Sequence, residues 1–316
     1  MCGIFGYSIR KGTLSAGRRA LLASSLAQFN DNRGGDSWGM AAMMPNQGPK
    51  IRKGLGNFAE NLHELADIHM FLGHTRLATV GATTEENAHP FEIGHIIGAH
   101  NGCVTNHREL NNVYEREHEV DSMHIFSHIN EGRNLGELEG YGAIEWIDLR
   151  HKSRIQLCRL GGELSAYGIG KPTKYYAVVW SSNEQHLIAS LQRAGIKEAF
   201  AFPIKDNIVY AIENGRIMET RARLHIGSRV NRKYTKTHGF PGTGFGGRGG
   251  KPNGGWPDNA GPNFPGLDRD VSSISIRSNA SNDDDITTFD AWEEYVKEFE
   301  LQAIENNPKL AELWGA

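Results

Sequence analysis

At 316 residues, with 39% hydrophobic and 22% charged residues, the chain has the composition of a globular protein and ample length to bury a core. A formal net charge of −3 gives no electrostatic reason to expect a nucleic-acid or membrane partner. Three widely spaced cysteines, Cys2, Cys103 and Cys158, argue against a disulfide framework, no apolar run approaches the roughly 18 residues of a membrane span, and the first residues lack a signal-peptide pattern. The expected localisation is cytoplasmic.

In chain order, residues 3–9 read as a strand, and Ser15 caps an amphipathic helix through about Asn30 with Leu21, Leu22, Leu26 and Phe29 on one face. The polar turn Asp31-Asn32-Arg33-Gly34-Gly35-Asp36-Ser37 leads into a strand from Trp38 to Met44, followed by a short strand 51–55 and a short helix 58–66. Strands 68–72 and 93–99 each end in a polar cluster, Gly73-His74-Thr75-Arg76 and His100-Asn101-Gly102, and helices are expected near 106–116 and 121–131. Short apolar strands follow at 142–149, 154–159, 174–180, 186–190, 207–212 and 216–219. This pattern predicts a layered α+β domain over 2–225. Residues 239–266 then hold eleven Gly and five Pro, and 270–285 are rich in Ser, Asn and Asp. Segment 226–286 therefore reads as a disordered linker, and 287–313, with Phe289, Trp292, Val296, Phe299 and Ala303 in one stripe, as an amphipathic C-terminal helix.

The chemistry begins at Cys2. Once the initiator Met is removed, a thiol of ordinary pKa near 8.5 stands beside an α-amine of about 7.7–8.0, so the nucleophile carries its own base. The plain alternative is a buried cysteine at a strand edge. Other polar clusters have plain readings too: a solvated turn at 33–37, a surface salt bridge at Arg76, a hairpin turn at Asn101-Gly102 and a helix cap at Asp121. Together they fit acyl transfer. Asn101 and the Gly102 N–H can serve a tetrahedral oxyanion, Arg76 can hold an α-carboxylate, and Asp121 an α-ammonium. Those groups describe a pocket for an amino acid with a side-chain amide, with glutamine the obvious candidate.

Met1-Cys-Gly-Ile-Phe-Gly6, Arg33-Gly-Gly-Asp-Ser-Trp-Gly39, Gly73-His-Thr-Arg-Leu-Ala-Thr79, Asn87-Ala-His-Pro-Phe91, His100-Asn-Gly102 and Asp121-Ser122 together resemble the ordered motif set of the class II glutamine amidotransferases, which are N-terminal nucleophile hydrolases. The resemblance covers residues 2 to about 220. It implies a four-layer αββα sandwich in which Cys2 attacks the glutamine amide and forms a γ-glutamyl thioester. It assigns Arg76 and Asp121 to the substrate's α-groups, Asn101 and Gly102 to the oxyanion, Thr79 and His89 to the pocket lining, and Arg33 to orienting the terminus.

The chain departs from that pattern at Val80, where many sugar-forming members have His, and at Met123, where an acidic residue is usual. The first argues against a glucosamine-type synthase; the second leaves open what steadies the Asp121 loop. No phosphate loop of a fused synthase follows residue 220, so the domain is expected to stand alone and pass ammonia to a separate synthase. Gly242-Thr-Gly-Phe-Gly-Gly247 matches a dinucleotide fingerprint without the flanking strand and helix, so no cofactor is expected. His124 and His128 are four apart without a carboxylate pattern, and no metal is expected. The basic residues between Arg229 and Lys251 read as a tether in preference to a nucleic-acid contact, and Cys103 as a small core residue. Two rival readings are an amide hydrolase without an ammonia acceptor and a catalytically idle binding protein that uses the basic arm and the C-terminal helix.

Overall fold

The structure, a computed structural model, describes residues 2–44, 48–58, 68–151 and 153–227. The expected linker from 228 onward and the C-terminal helix, and all but the first residue of the expected 58–66 helix, lie outside the described residues; Ile226 is buried in the domain and the Gly227 N–H donates to the Leu138 carbonyl at 2.7 Å, so the fold continues past 225.

Two antiparallel sheets face each other. The seven-stranded sheet runs in the order β11 (Ala199–Phe202), β9 (Ser165–Lys171), β10 (Lys174–Ser181), β1 (Gly3–Ile9), β4 (Met70–Arg76), β2 (Ser37–Met44), β3 (Gly48–Leu55). The six-stranded sheet runs β13 (Arg216–Arg223), β12 (Ile208–Glu213), β8 (Ile155–Leu160), β7 (Gly140–Asp148), β6 (Ile96–Val104), β5 (Phe91–Ile93). Helices α1 (Ala16–Asp31) and α4 (Glu184–Arg193) cover the first sheet, and α3 (Met123–Glu131), preceded by α2 (His107–Tyr114), lies on the second. The result is the expected αββα sandwich.

Period-two alternation sorts β1 between two cores. Phe5, Tyr7 and Ile9 point to the helix side, against Leu22, Ala23 and Leu26 of α1 and Leu187 and Leu191 of α4. Ile4 points between the sheets, where it joins Leu72, Val178 and Trp180 from its own sheet and Ala99, Ala143, Ile147 and Leu157 from the other. A third apolar layer, including Ile125, Phe126, Ile144 and Trp146, lies beneath α3. Burial on both faces explains why β1 reads as a nearly continuous apolar run.

Three expectations are corrected. Residues 186–190 are helical, inside α4: Asn183 accepts from the His186 N–H at 2.9 Å to cap the start, and Leu187 and Leu191 bury one helical face. The expected 93–99 strand is two strands, with Gly94 at φ 60° making the turn between β5 and β6. Asn101-Gly102 is no hairpin turn, because both residues lie within β6, opposite Ala143 and Gly142 of β7.

Candidate active site

The site forms at one end of the layer between the sheets. In β1, Gly3 pairs with Thr75 and Ile4 with His74 of β4, a register that carries Cys2 opposite Arg76. The half-buried Cys2 thiol lies 3.4 Å from both the N–H and the carbonyl oxygen of Leu77, in the loop leaving β4. Arg33 donates from Nε to the Cys2 carbonyl at 3.1 Å and pairs through Nη2 with Glu163 at 3.1 Å, so its fork fixes the chain where β1 begins.

Arg76 is 2% exposed, and its Nη1 and Nη2 donate to the carbonyls of Ala82 at 3.0 Å and Val80 at 2.7 Å. Those bonds hold the guanidinium in one orientation. They also explain why Val80 is tolerated, since Arg76 uses its backbone carbonyl and not its side chain. Asp36 braces the same loop, its Oδ2 accepting from the Ala78 N–H at 2.7 Å.

The other sheet contributes Asn101 and Gly102 from β6 and Asp121 from the segment before α3. Asp121 is buried, and its Oδ2 accepts from the Val104 N–H at 2.6 Å, tying it to the strand that carries the oxyanion candidates. Cys103, on the same face of β6 as Asn101, is half-buried and not a core residue. Burial and the neighbouring Asp121 carboxylate push its thiol up. Met123 packs against the apolar layer beneath α3 and makes no acidic contact from that position; the Val104–Asp121 and His100–Ser122 contacts steady the loop, the latter at 2.9 Å.

Electrostatics joins these groups. Burial pushes the Cys2 thiol above its ordinary value; the Leu77 N–H and the Arg76 guanidinium pull it back, and the Asp121 carboxylate raises it. Burial lowers the Arg76 pKa, and Cys2, Asp36 and Asp121 oppose that shift. The thiol is therefore protonated at rest and needs a base to react.

Two expected residues stand farther back. Thr79 is exposed in the loop after β4. His89 is buried, its ring tilted with its centroid 4.0 Å from that of His74 and 4.4 Å from that of Phe91, and burial first, with the Arg76 charge, holds it neutral. Neither His124 nor His128 belongs to a metal-binding group, and no such group of His, Cys, Asp and Glu occurs among the described residues. The sequence reading passed over Leu77, which cradles the thiol through backbone atoms no side-chain pattern reveals. It also passed over Asp36 and His100, although both stand inside the motifs it quoted.

No family model matches the chain. It is 39% identical over 118 residues to a glutamine–fructose-6-phosphate aminotransferase (isomerizing) of Sulfurisphaera tokodaii, covering 35% of this chain and 19% of the relative. It is 30% identical over 242 residues to the Chlamydia caviae protein of that name, covering 73% of this chain and 36% of the relative. Against the B. subtilis glutamine phosphoribosylpyrophosphate amidotransferase, solved with ADP and GMP, the TM-score is 0.51 at 20% identity, over 70% of this chain and 49% of the other. That likeness concerns the fold. The chain thus spans about a fifth to a third of the length of these curated relatives.

Two facing antiparallel sheets between helix layers define the N-terminal nucleophile hydrolase architecture. The relatives that the chain resembles are class II glutamine amidotransferases, which are enzymes. No helix among the described residues is long and apolar enough to cross a membrane.

Proposed function

We propose that the domain hydrolyses glutamine to glutamate and ammonia through Cys2. The observation that carries this reading is that the β1–β4 register sets buried Arg76 opposite Cys2 while the buried Asp121 is tied by Val104 to the strand of Asn101 and Gly102, close enough for both charges to bear on the thiol. A cation and an anion bracketing a nucleophile match the α-carboxylate and α-ammonium of a free amino acid. With Met1 removed, the α-amine takes the thiol proton and Sγ attacks the amide carbon. The oxyanion is met by Asn101 and Gly102, and the C–N bond breaks as the α-ammonium returns the proton to the departing ammonia. Water then attacks the thioester, releasing glutamate and restoring the thiol. Thr79 lines the entrance, His89 supports Arg76 from behind, and Arg33 holds the Cys2 carbonyl so that amine and thiol keep their orientation. Ammonia passes to a synthase on a separate chain.

The test is glutamate and ammonia release from glutamine by chain whose intact mass begins at Cys2. Cys2→Ala abolishes turnover while still binding glutamine in a calorimetric titration. A Cys2→Ala protein that turns over at the wild-type rate overturns the reading.

A further inference from the structure

His100 precedes Asn101 in β6, and strand alternation turns its ring away from the thiol, toward the segment before α3. The ring is buried and makes two contacts: Nδ1 lies 2.9 Å from Ser122 Oγ, and Nε2 lies 3.3 Å from the Tyr141 carbonyl oxygen. A carbonyl only accepts, so Nε2 carries the proton, and Nδ1 accepts from the Ser122 hydroxyl. Burial pushes the His100 pKa down while the Asp121 carboxylate opposes it, in keeping with a neutral ring.

The ring also lies against the oxyanion backbone. A Cβ on Gly102 would fall 2.5 Å from His100 Nε2, and one on its cross-strand partner Gly142 would fall 2.3 Å away. At Gly102 the imidazole shares that space with the Tyr141 carbonyl oxygen, 2.1 Å from such a Cβ, and at Gly142 it is the nearest group, so ring and backbone together leave room only for glycine. One side chain therefore touches the β6–β7 backbone at Gly102 and, through Ser122, the residue adjoining Asp121.

The geometry points to His100 as a positioning residue that sets the oxyanion backbone through Tyr141 and the ammonium-binding carboxylate through Ser122. This assignment rests on the glutaminase reading. His100 acts through these two hydrogen bonds and leaves the chemistry to Cys2, Asn101, Gly102 and Asp121. Its two ends serve different stages: Asp121 acts on bound substrate, whereas the oxyanion donors act as charge develops.

The two ends can be cut separately. Gln places an amide N–H where Nε2–H stands and abandons Ser122; Asn keeps a group near Ser122 and abandons Tyr141. His100→Gln and Ser122→Ala are expected to raise KM for glutamine about tenfold with kcat within about twofold, and His100→Asn to lower kcat about tenfold with KM little changed. Ser122→Ala leaves the ring in place and guards against a misfolded His100 variant. Nitrogen NMR of the intact protein is expected to show His100 as the Nε2–H tautomer. Unchanged kinetics in all three variants, losses of kcat and KM in equal proportion, or an Nδ1–H tautomer would each overturn the assignment. Wild-type protein that neither binds nor hydrolyses glutamine would instead overturn the glutaminase reading, while the tautomer measurement still reports on the two contacts.

Discussion

The Cys2 thiol titrates where competing neighbours leave it. Because burial and Asp121 raise its pKa while Arg76 lowers it, Asp121→Asn removes an anion and keeps an acceptor for the Val104 N–H. Its alkylation-versus-pH midpoint is expected to move to lower pH than wild type, and KM for glutamine to rise about thirtyfold or more, roughly 2 kcal/mol or more for a lost charge partner. A midpoint that stays fixed would remove Asp121 from the thiol's field. Glu145 supplies a second residue-level prediction. It is fully buried between the sheets, accepts from Trp180 Nε1 at 2.5 Å, and is raised well above the ordinary carboxylate range by burial. The folded protein keeps that proton at pH values where the unfolded chain has lost it, so this group favours folding below about pH 4.5 and costs stability as pH rises toward the folded value. Because the buried histidines pull the other way over this range, Glu145→Gln is expected to steepen the rise in thermal midpoint from pH 5 to 7, by up to about 1.4 kcal/mol per pH unit. Cys2, Arg76 and Asp121 stand out in the sequence because acyl transfer on an amino acid demands those side-chain types, and the structure brings the three near one another. Leu77 was not, because it acts through its backbone, and Glu145 was not, because it sits in an apolar strand with nothing local to mark it.

Among the elements, β1 and α1 are keyed together by Asn30 at the helix end. Its Nδ2 donates to the Leu26 carbonyl at 2.8 Å and approaches Ser181 Oγ at 3.4 Å, and a Cβ on Gly3 would fall 2.5 Å from its Oδ1. Thr75 Oγ1 donates to the Asn30 carbonyl at 2.8 Å, which brings β4 into the same joint. Asn30→Ala leaves Ser181 without this partner and opens a gap beneath Gly3, a cost of about 1–3 kcal/mol measurable in denaturant unfolding. Helical periodicity is decisive where the run is long, as in α1, and ambiguous over 186–190, where five residues fit strand or helix equally. The strands β9 and β11 escaped notice because the first carries Gly168 and Gly170 and the second has only four residues. The register placing Cys2 opposite Arg76 depends on long-range pairing that no local signal encodes.

For the molecule as a whole, buried histidines form a reserve of neutral rings. Burial lowers His74 to about 3 and His186 to about 4, and pushes His89 and His100 down as well. The unfolded chain protonates these rings near pH 6.5 and the folded one does not, so their contribution to stability is present above about 6.5 and lost as pH falls toward 3–4. The thermal midpoint is expected to drop steadily from pH 7 to 5, with net proton uptake on unfolding in calorimetry; release of protons at pH 5.5 would contradict it.

The grip of Arg33 on the Cys2 carbonyl has a practical side. The strand pairing of β1 begins at Gly3 and does not use the residue ahead of Cys2, yet the nitrogen of an amide in place of the α-amine has its lone pair delocalised into the carbonyl and cannot receive the thiol proton. A preparation that keeps even one leftover tag residue would fold, melt and bind normally and still be inert. Gel purity and light scattering would pass it, and only the mass of the intact chain would report the fault.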